Sequence, residues 1–257
     1  MAKWTAFPHA DKAYQYTEAT LKKNWARLHR GDCEPWPKDK GAIGAWIAYH
    51  AGDFGKAVEQ GVAAGLPGYN AANKAAAVYA TYLENSEKRK LEILQEAAAR
   101  AEALQAADPK DANAWYLYAF ATGRYSQGIS VAKALAQGLG GKVKEALTRT
   151  LKLQPKHADA HIAFGSWHAE IIDKVGGMIG GMTYGAKRDE ALKHYKAALE
   201  LNPDSAIARI EYANGLVMLD GKKALAQAEQ LYADAAAFEP MDAMERLDVE
   251  QARSEME

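Results

Sequence analysis

Cysteine is all but missing. Cys33 is the only one among 257 residues, so no disulfide can close within the chain. No stretch approaches eighteen uncharged apolar residues, the length a membrane-crossing helix needs. The opening Met1-Ala2-Lys3-Trp4-Thr5-Ala6 lacks the apolar core of a secretory signal, so a reducing, cytoplasmic setting is expected. Neither sign of charge prevails: 32 basic against 33 acidic residues give a formal net charge of −1, with no global attraction to nucleic acid. Val, Ile and Thr supply 26 residues together, whereas alanine alone supplies 54, a balance that favours helix over strand in nearly every window. An all-α fold follows.

The eight prolines are few enough to be informative, and four of them mark a repeat: Leu104-x4-Pro109, Thr150-x4-Pro155, Ala198-x4-Pro203 and Ala235-x4-Pro240. Counting back from Pro203 finds Ala191, Tyr195 and Ala198 on one helical face. The same offsets from Pro240 find Ala228, Tyr232 and Ala235, from Pro109 Ala97, Ala101 and Leu104, and from Pro155 Val143, Leu147 and Thr150. Small or apolar residues at these offsets let a helix pack closely on the one before it, and the proline then stops it. A second helix is predicted after each proline, carrying Trp115, Tyr118 and Ala119, then His161, Phe164 and Gly165, then Arg209, Tyr212 and Ala213. Gly52-Asp53-Phe54-Gly55-Lys56-Ala57 reads as the turn of a weaker, earlier copy.

This pattern resembles the tetratricopeptide repeat (TPR), a helical hairpin whose second helix ends in proline. The resemblance implies a TPR-like α-solenoid of four to five hairpins over residues 38–240, with an N-terminal capping helix and a Pro-rich link in 1–37 and a polar C-terminal capping helix in 241–257. Tyr14, Leu21, Trp25 and Leu28 are expected on the covering face of the first cap, ending at Gly31-Asp32. Two copies are too long, and insertions are expected near 124–141 and 174–187. The first is read as a short amphipathic helix carrying Val131, Leu135 and Leu139. The second, Val175 to Gly185, holds five glycines, which would cost a helix on the order of 5 kcal/mol relative to alanine. It is expected to be irregular, or ordered by contacts beyond its own backbone. Gly123-Arg124-Tyr125 and Trp167-His168-Ala169-Glu170 beside these insertions make the chain similar to the regulator of microtubule dynamics family and to the T component of tripartite substrate-binding transport systems. That likeness implies a pocket shaped by the insertions and implies no reaction.

Catalytic and metal-binding patterns are incomplete. His157, His161 and His168, with Glu170 and His194, have helical spacing for zinc, but His161 and His168 fall on helix-packing positions. Cys33 follows His29 by four residues without a third orienting group. Gly176 to Gly181 is followed by Met182 where a phosphate loop needs lysine. No catalytic residue, cofactor or metal is assigned, and an enzyme is not expected.

The expected function is a protein-interaction scaffold. In the TPR family the first helix of each hairpin lines the concave groove, and the matching positions here are Asn113, Tyr116, Phe120, Ile162, Ser166, Ile210 and Asn214. The alternative is a carrier of a small apolar ligand or lipid, with Leu135, Leu139, Met178, Ile179, Met182 and Tyr184 lining a pocket made by the insertions. Residues 112–158 carry seven basic residues against Glu145, and 234–257 carry eight acids against Arg246 and Arg253. This asymmetry allows an acidic partner at the middle, or self-association of the acidic end of one copy with the basic middle of another.

Overall fold

A computed structural model describes residues 4–256, and no strand occurs among them. The helix α1 (Glu18–Leu28) is followed by five antiparallel hairpins. These are α2 (Lys40–His50) with α3 (Phe54–Ala63), α4 (Tyr69–Tyr82) with α5 (Glu87–Ala107), α6 (Ala112–Gln127) with α8 (Leu139–Leu153), α9 (Ala158–Val175) with α11 (Arg188–Leu201), and α12 (Ala206–Asp220) with α13 (Leu225–Ala236). The insertions add α7 (Val131–Ala136) and α10 (Gly177–Tyr184) between the arms of the third and fourth hairpins, and α14 (Ala243–Ser254) ends the chain. Residues at the repeat offsets are the packing residues: Ala97, Ala101, Leu147, Thr150, Ala191, Tyr195, Ala198 and Ala235 are all fully buried.

A second signal accompanies each proline. The residue two positions after it caps the next helix: Asp111 receives the Ala114 N–H, His157 that of Ala160, Ser205 that of Ala208, and Asp242 that of Glu245. Such caps stabilise a helix start by about 1 kcal/mol each. Proline and cap together fix where one helix stops and the next begins.

Tyr195 shows how tightly the hairpins are laid together. Its ring lies against Gly165 of α9 and Gly215 of α12, where added Cβ atoms would stand 2.8 and 2.6 Å from its carbons. Its hydroxyl is 3.1 Å from the Ser166 hydroxyl.

Three local features are sharpened by the structure. The first cap begins at Glu18 because Thr17 and Thr20 form a capping box there, so Tyr14 lies in a separate 3-10 turn. Of the two readings of the glycine-rich insertion, the ordered one holds, as a helix packed on α9. Gly176 (φ +83°) and Gly185 (φ +70°) bound it, and Gly180 lets it approach α9, where a Cβ would meet the Ile171 side chain at 3.2 Å. The final helix is more than a polar cap, since Ala243, Leu247, Val249 and Ala252 are buried.

The stack also returns on itself. Tyr16 donates to the Met241 carbonyl at 2.8 Å, Arg27 pairs with Glu245 at 2.6 Å, and Tyr82 donates to Asp248 at 2.6 Å. His50 Nδ1 lies 2.6 Å from Asp242. The last helix is thus joined to the first hairpins, and the concave side becomes an interior.

Candidate functional site: an enclosed pocket on the concave side

The first arms α4, α6, α9 and α12, together with α14, surround a cavity of about 170 Å³. Tyr82, Tyr116, Phe120, Ile162, Ile207 and Met244 supply much of its apolar wall, and Val131 and Leu135 of α7 and Tyr184 of α10 contribute at the insertion end. The wall is apolar because the concave positions of a helical repeat face one another once the superhelix is tight, and burying them removes them from water.

Charged groups sit at chosen places in this wall. Arg124 of α6 reaches Glu211 of α12 at 2.7 Å, and Ser166 donates to the other Glu211 oxygen at 2.9 Å. Burial works against the Arg124 charge, but Glu211, Tyr82 and Glu170 together outweigh it and raise its pKa. Gln127 donates to Glu170, whose carboxyl burial pushes up. Lys74 of α4 stands 2.5 Å from Asp32 and 3.9 Å from Asp159.

The pocket floor rests on a buried polar network. Asn113 donates to the Asp32 carbonyl at 3.0 Å and to Glu34 at 2.5 Å. His157 Nδ1 accepts the Ala160 N–H, so its proton is on Nε2, which donates to Asn113 at 2.9 Å. Burial depresses His157 to about 3 and His29 to about 4, so both are neutral imidazoles at neutral pH. Burial opposes ionisation of Asp32, yet Lys74 and His29 hold its carboxyl well below the usual range.

Residues from both candidate sets meet here. Tyr116, Phe120, Ile162 and Ser166 line the pocket alongside Leu135 and Tyr184. The others lie elsewhere. Asn113 belongs to the buried network, Ile210 is fully buried among Ala235, Val249 and Ala252, and Asn214 accepts from the Tyr232 hydroxyl. Leu139 is in the core, while Met178, Ile179 and Met182 are 80, 58 and 84 % exposed on α10. Arg124 and Glu211 join across this concave side, and Met244 of α14 forms part of the pocket wall. Arg124 and Glu170 belong to the two motifs quoted beside the insertions; Glu211, Lys74 and Asp159 carried no signal of their own in the sequence.

The other sequence candidates are placed as follows. His161 and His194 meet through their Nδ1 atoms at 2.8 Å, while His168 Nδ1 accepts the Lys187 N–H at 3.1 Å. Among the described residues no three His, Cys, Asp or Glu side chains are arranged to hold a metal. Cys33 Sγ faces the Lys156 carbonyl at 3.5 Å, and burial pushes its thiol up to about 11, the reverse of nucleophile activation. His29 is turned instead to Asp32, 2.9 Å away. Of the acidic run at the C-terminal end, Asp242, Glu245 and Asp248 are engaged inside the molecule by His50, Arg27 and Tyr82.

Residues 69–256 match the family model for regulator of microtubule dynamics protein 1-3. The chain belongs to that family. A comparison with curated proteins finds no match. Among solved structures, a thermophilic TPR protein of Thermus thermophilus is similar, with a TM-score of 0.57 at 18 % identity over 82 % of this chain and 95 % of that one. At that identity the likeness is one of fold. This member of the regulator of microtubule dynamics family is thus an all-α, TPR-like helical repeat protein, of the architecture used for protein-interaction scaffolds. Among the described residues no helix is long and apolar enough to cross a membrane.

Proposed function

We propose that the chain is a non-catalytic binding module that holds a small, largely apolar ligand in the pocket on its concave side. The observation that carries this reading is the apolar concavity bridged by Arg124 and Glu211. A partner segment running along an open TPR groove would have to pass the Arg124–Glu211 pair, which spans the concave side at 2.7 Å. A compact ligand fits beneath it. A concave, mostly apolar chamber with a few fixed polar groups is the usual form of a small-molecule site.

A role in protein association stands beside it on a separate observation. Met178, Ile179 and Met182 are exposed on α10. Exposed apolar groups gathered in one place favour contact with a partner. The scaffold role would then use the insertions rather than the groove.

Native mass spectrometry of the purified chain tests the primary reading. A retained small-molecule mass that disappears in Ala163→Trp, which fills the pocket, supports it. A retained mass indifferent to this change, or one lost in Met178→Ser/Met182→Ser instead, contradicts it.

A further inference from the structure

The charged side chains in the wall of the concave pocket answer one another. Lys74, Arg124 and Lys174 are its bases and Asp159, Glu170 and Glu211 its acids, so the wall carries no formal net charge. Arg124 holds Glu211 at 2.7 Å, Lys174 stands 3.6 Å from Glu170, and Lys74 is shared between Asp32 at 2.5 Å and Asp159 at 3.9 Å. A charged ligand would give up its hydration to a wall whose ions are already matched.

The uncharged polar groups around them are largely engaged as well. Ser126 donates to the Gly123 carbonyl at 2.7 Å, Ser166 to Glu211 at 2.9 Å, Tyr82 to Asp248 at 2.6 Å, and Gln127 to Glu170. Tyr116 differs. Its ring packs against Phe120 and His157 and the residue is 8 % exposed, yet its hydroxyl makes no hydrogen bond to protein among the described residues. Nor is that oxygen one of the side-chain atoms sealed inside the fold without a partner, so it opens on the cavity whose wall Tyr116 forms. Burial pushes its phenol well above the ordinary value, which leaves a neutral O–H able both to donate and to accept. A buried hydroxyl without a partner is costly, and a wall that satisfies its neighbours keeps one open where a bound molecule completes it.

We infer that the pocket selects an uncharged apolar molecule carrying a hydroxyl, and that this hydroxyl pairs with Tyr116. An alcohol donates and accepts as a phenol does, so the pair is satisfied in either direction. The inference rests on the reading of the concave side as a ligand pocket and adds the chemistry of the ligand's polar group.

Calorimetric titration of the full chain near pH 7 with benzyl alcohol, toluene, benzylamine and benzoate tests it, since these probes share one ring and differ in the group it carries. Benzyl alcohol is expected to bind at least about tenfold more tightly than the charged benzylamine or benzoate. Tyr116→Phe removes the hydroxyl and keeps the ring. Because that hydroxyl holds nothing in the protein, the variant should melt like the wild type, bind benzyl alcohol about tenfold more weakly and bind toluene as before. Toluene thus reports an intact pocket. An alcohol affinity that is unchanged in Tyr116→Phe, or that falls only in step with toluene, overturns the pairing, and a charged probe that matches the alcohol overturns the selection; both leave the pocket in place. Binding of none of these probes to the wild type overturns the pocket reading as well.

Discussion

Arg124 on α6 and Glu211 on α12 stand 2.7 Å apart although a whole hairpin, α9 with α11, separates them along the chain. Repeat proteins ordinarily bring only neighbouring hairpins into contact. Here the superhelix is wound tightly enough for two first arms to meet across the concave side.

Breaking that pair from one side leaves a charge in a poorly hydrated wall. Arg124→Met or Glu211→Gln is therefore expected to cost about 2–3 kcal/mol of unfolding free energy, because the survivor keeps its desolvation penalty without its partner. Removing both with Arg124→Met/Glu211→Gln should cost less than the two single changes added together. Urea denaturation of the four proteins measures the coupling; strict additivity would show that the pair does not act as a unit.

Tyr195 makes a second coupling testable. A Cβ at Gly215 would lie 2.4 Å from its hydroxyl oxygen, so Gly215→Ala overpacks the α11–α12 contact and should destabilise by about 1–3 kcal/mol. In a Tyr195→Phe background, which removes the oxygen, the same change should cost less. Thermal unfolding of the cycle decides it, and an equal cost in both backgrounds would argue against the close approach.

Acid should weaken the fold through its buried imidazoles. His157 is neutral in the folded chain down to about pH 3 and His29 to about 4, while both protonate near 6.5 when unfolded. Between those values the unfolded state binds more protons, so stability is fully present above pH 6.5 and falls as pH drops through the window, by up to about 1.4 kcal/mol per pH unit for each residue. Asp159 acts in the opposite direction, since a carboxyl raised to about 6 holds a proton in the folded state that the unfolded chain has released. His157→Leu should lower stability at neutral pH by removing a cap and a hydrogen bond, and should flatten the decline between pH 6.5 and 4. Denaturant titrations at several pH values measure both; an unchanged slope would mean that His157 does not carry the proton linkage.

The fold was written in the sequence at close range. Pro155, His157 and the Val143-Leu147-Thr150 face are local signals for stopping, capping and packing, and each acts within a few residues of itself. The pocket was only partly legible. Phe120 and Ile162 follow from hairpin register, and Leu135 from the insertion, yet nothing local says that they share one cavity. That depends on superhelical pitch, a sum of small rotations at every hairpin contact, and on Asp242 and Asp248 finding His50 and Tyr82, 192 and 166 residues away. Asp159 shows the same limit. It occupies the first turn of α9, where an acid merely looks favourable to a helix start, and its place beside Lys74 and Met244 appears only when α4 and α14 are in position.

The C-terminal helix supplies a test of closure. Removing residues 241–257 takes away Met244 from the pocket wall and the acids that join His50, Arg27 and Tyr82. Amide exchange in α2 and α4 should then rise while α11, which shares no cavity wall with α14, changes little. Uniform protection in the truncated chain would mean that α14 does not close the stack.

The account turns on the concave side being an accessible, enclosed apolar chamber. The most direct measurement is a fluorescence titration with a neutral, environment-sensitive dye such as N-phenyl-1-naphthylamine, comparing the wild type with Ala163→Trp and with Met178→Ser/Met182→Ser. Saturable binding that is lost in Ala163→Trp and kept in the α10 variant is the predicted result; binding that survives the filled pocket, or vanishes with the α10 methionines, contradicts it.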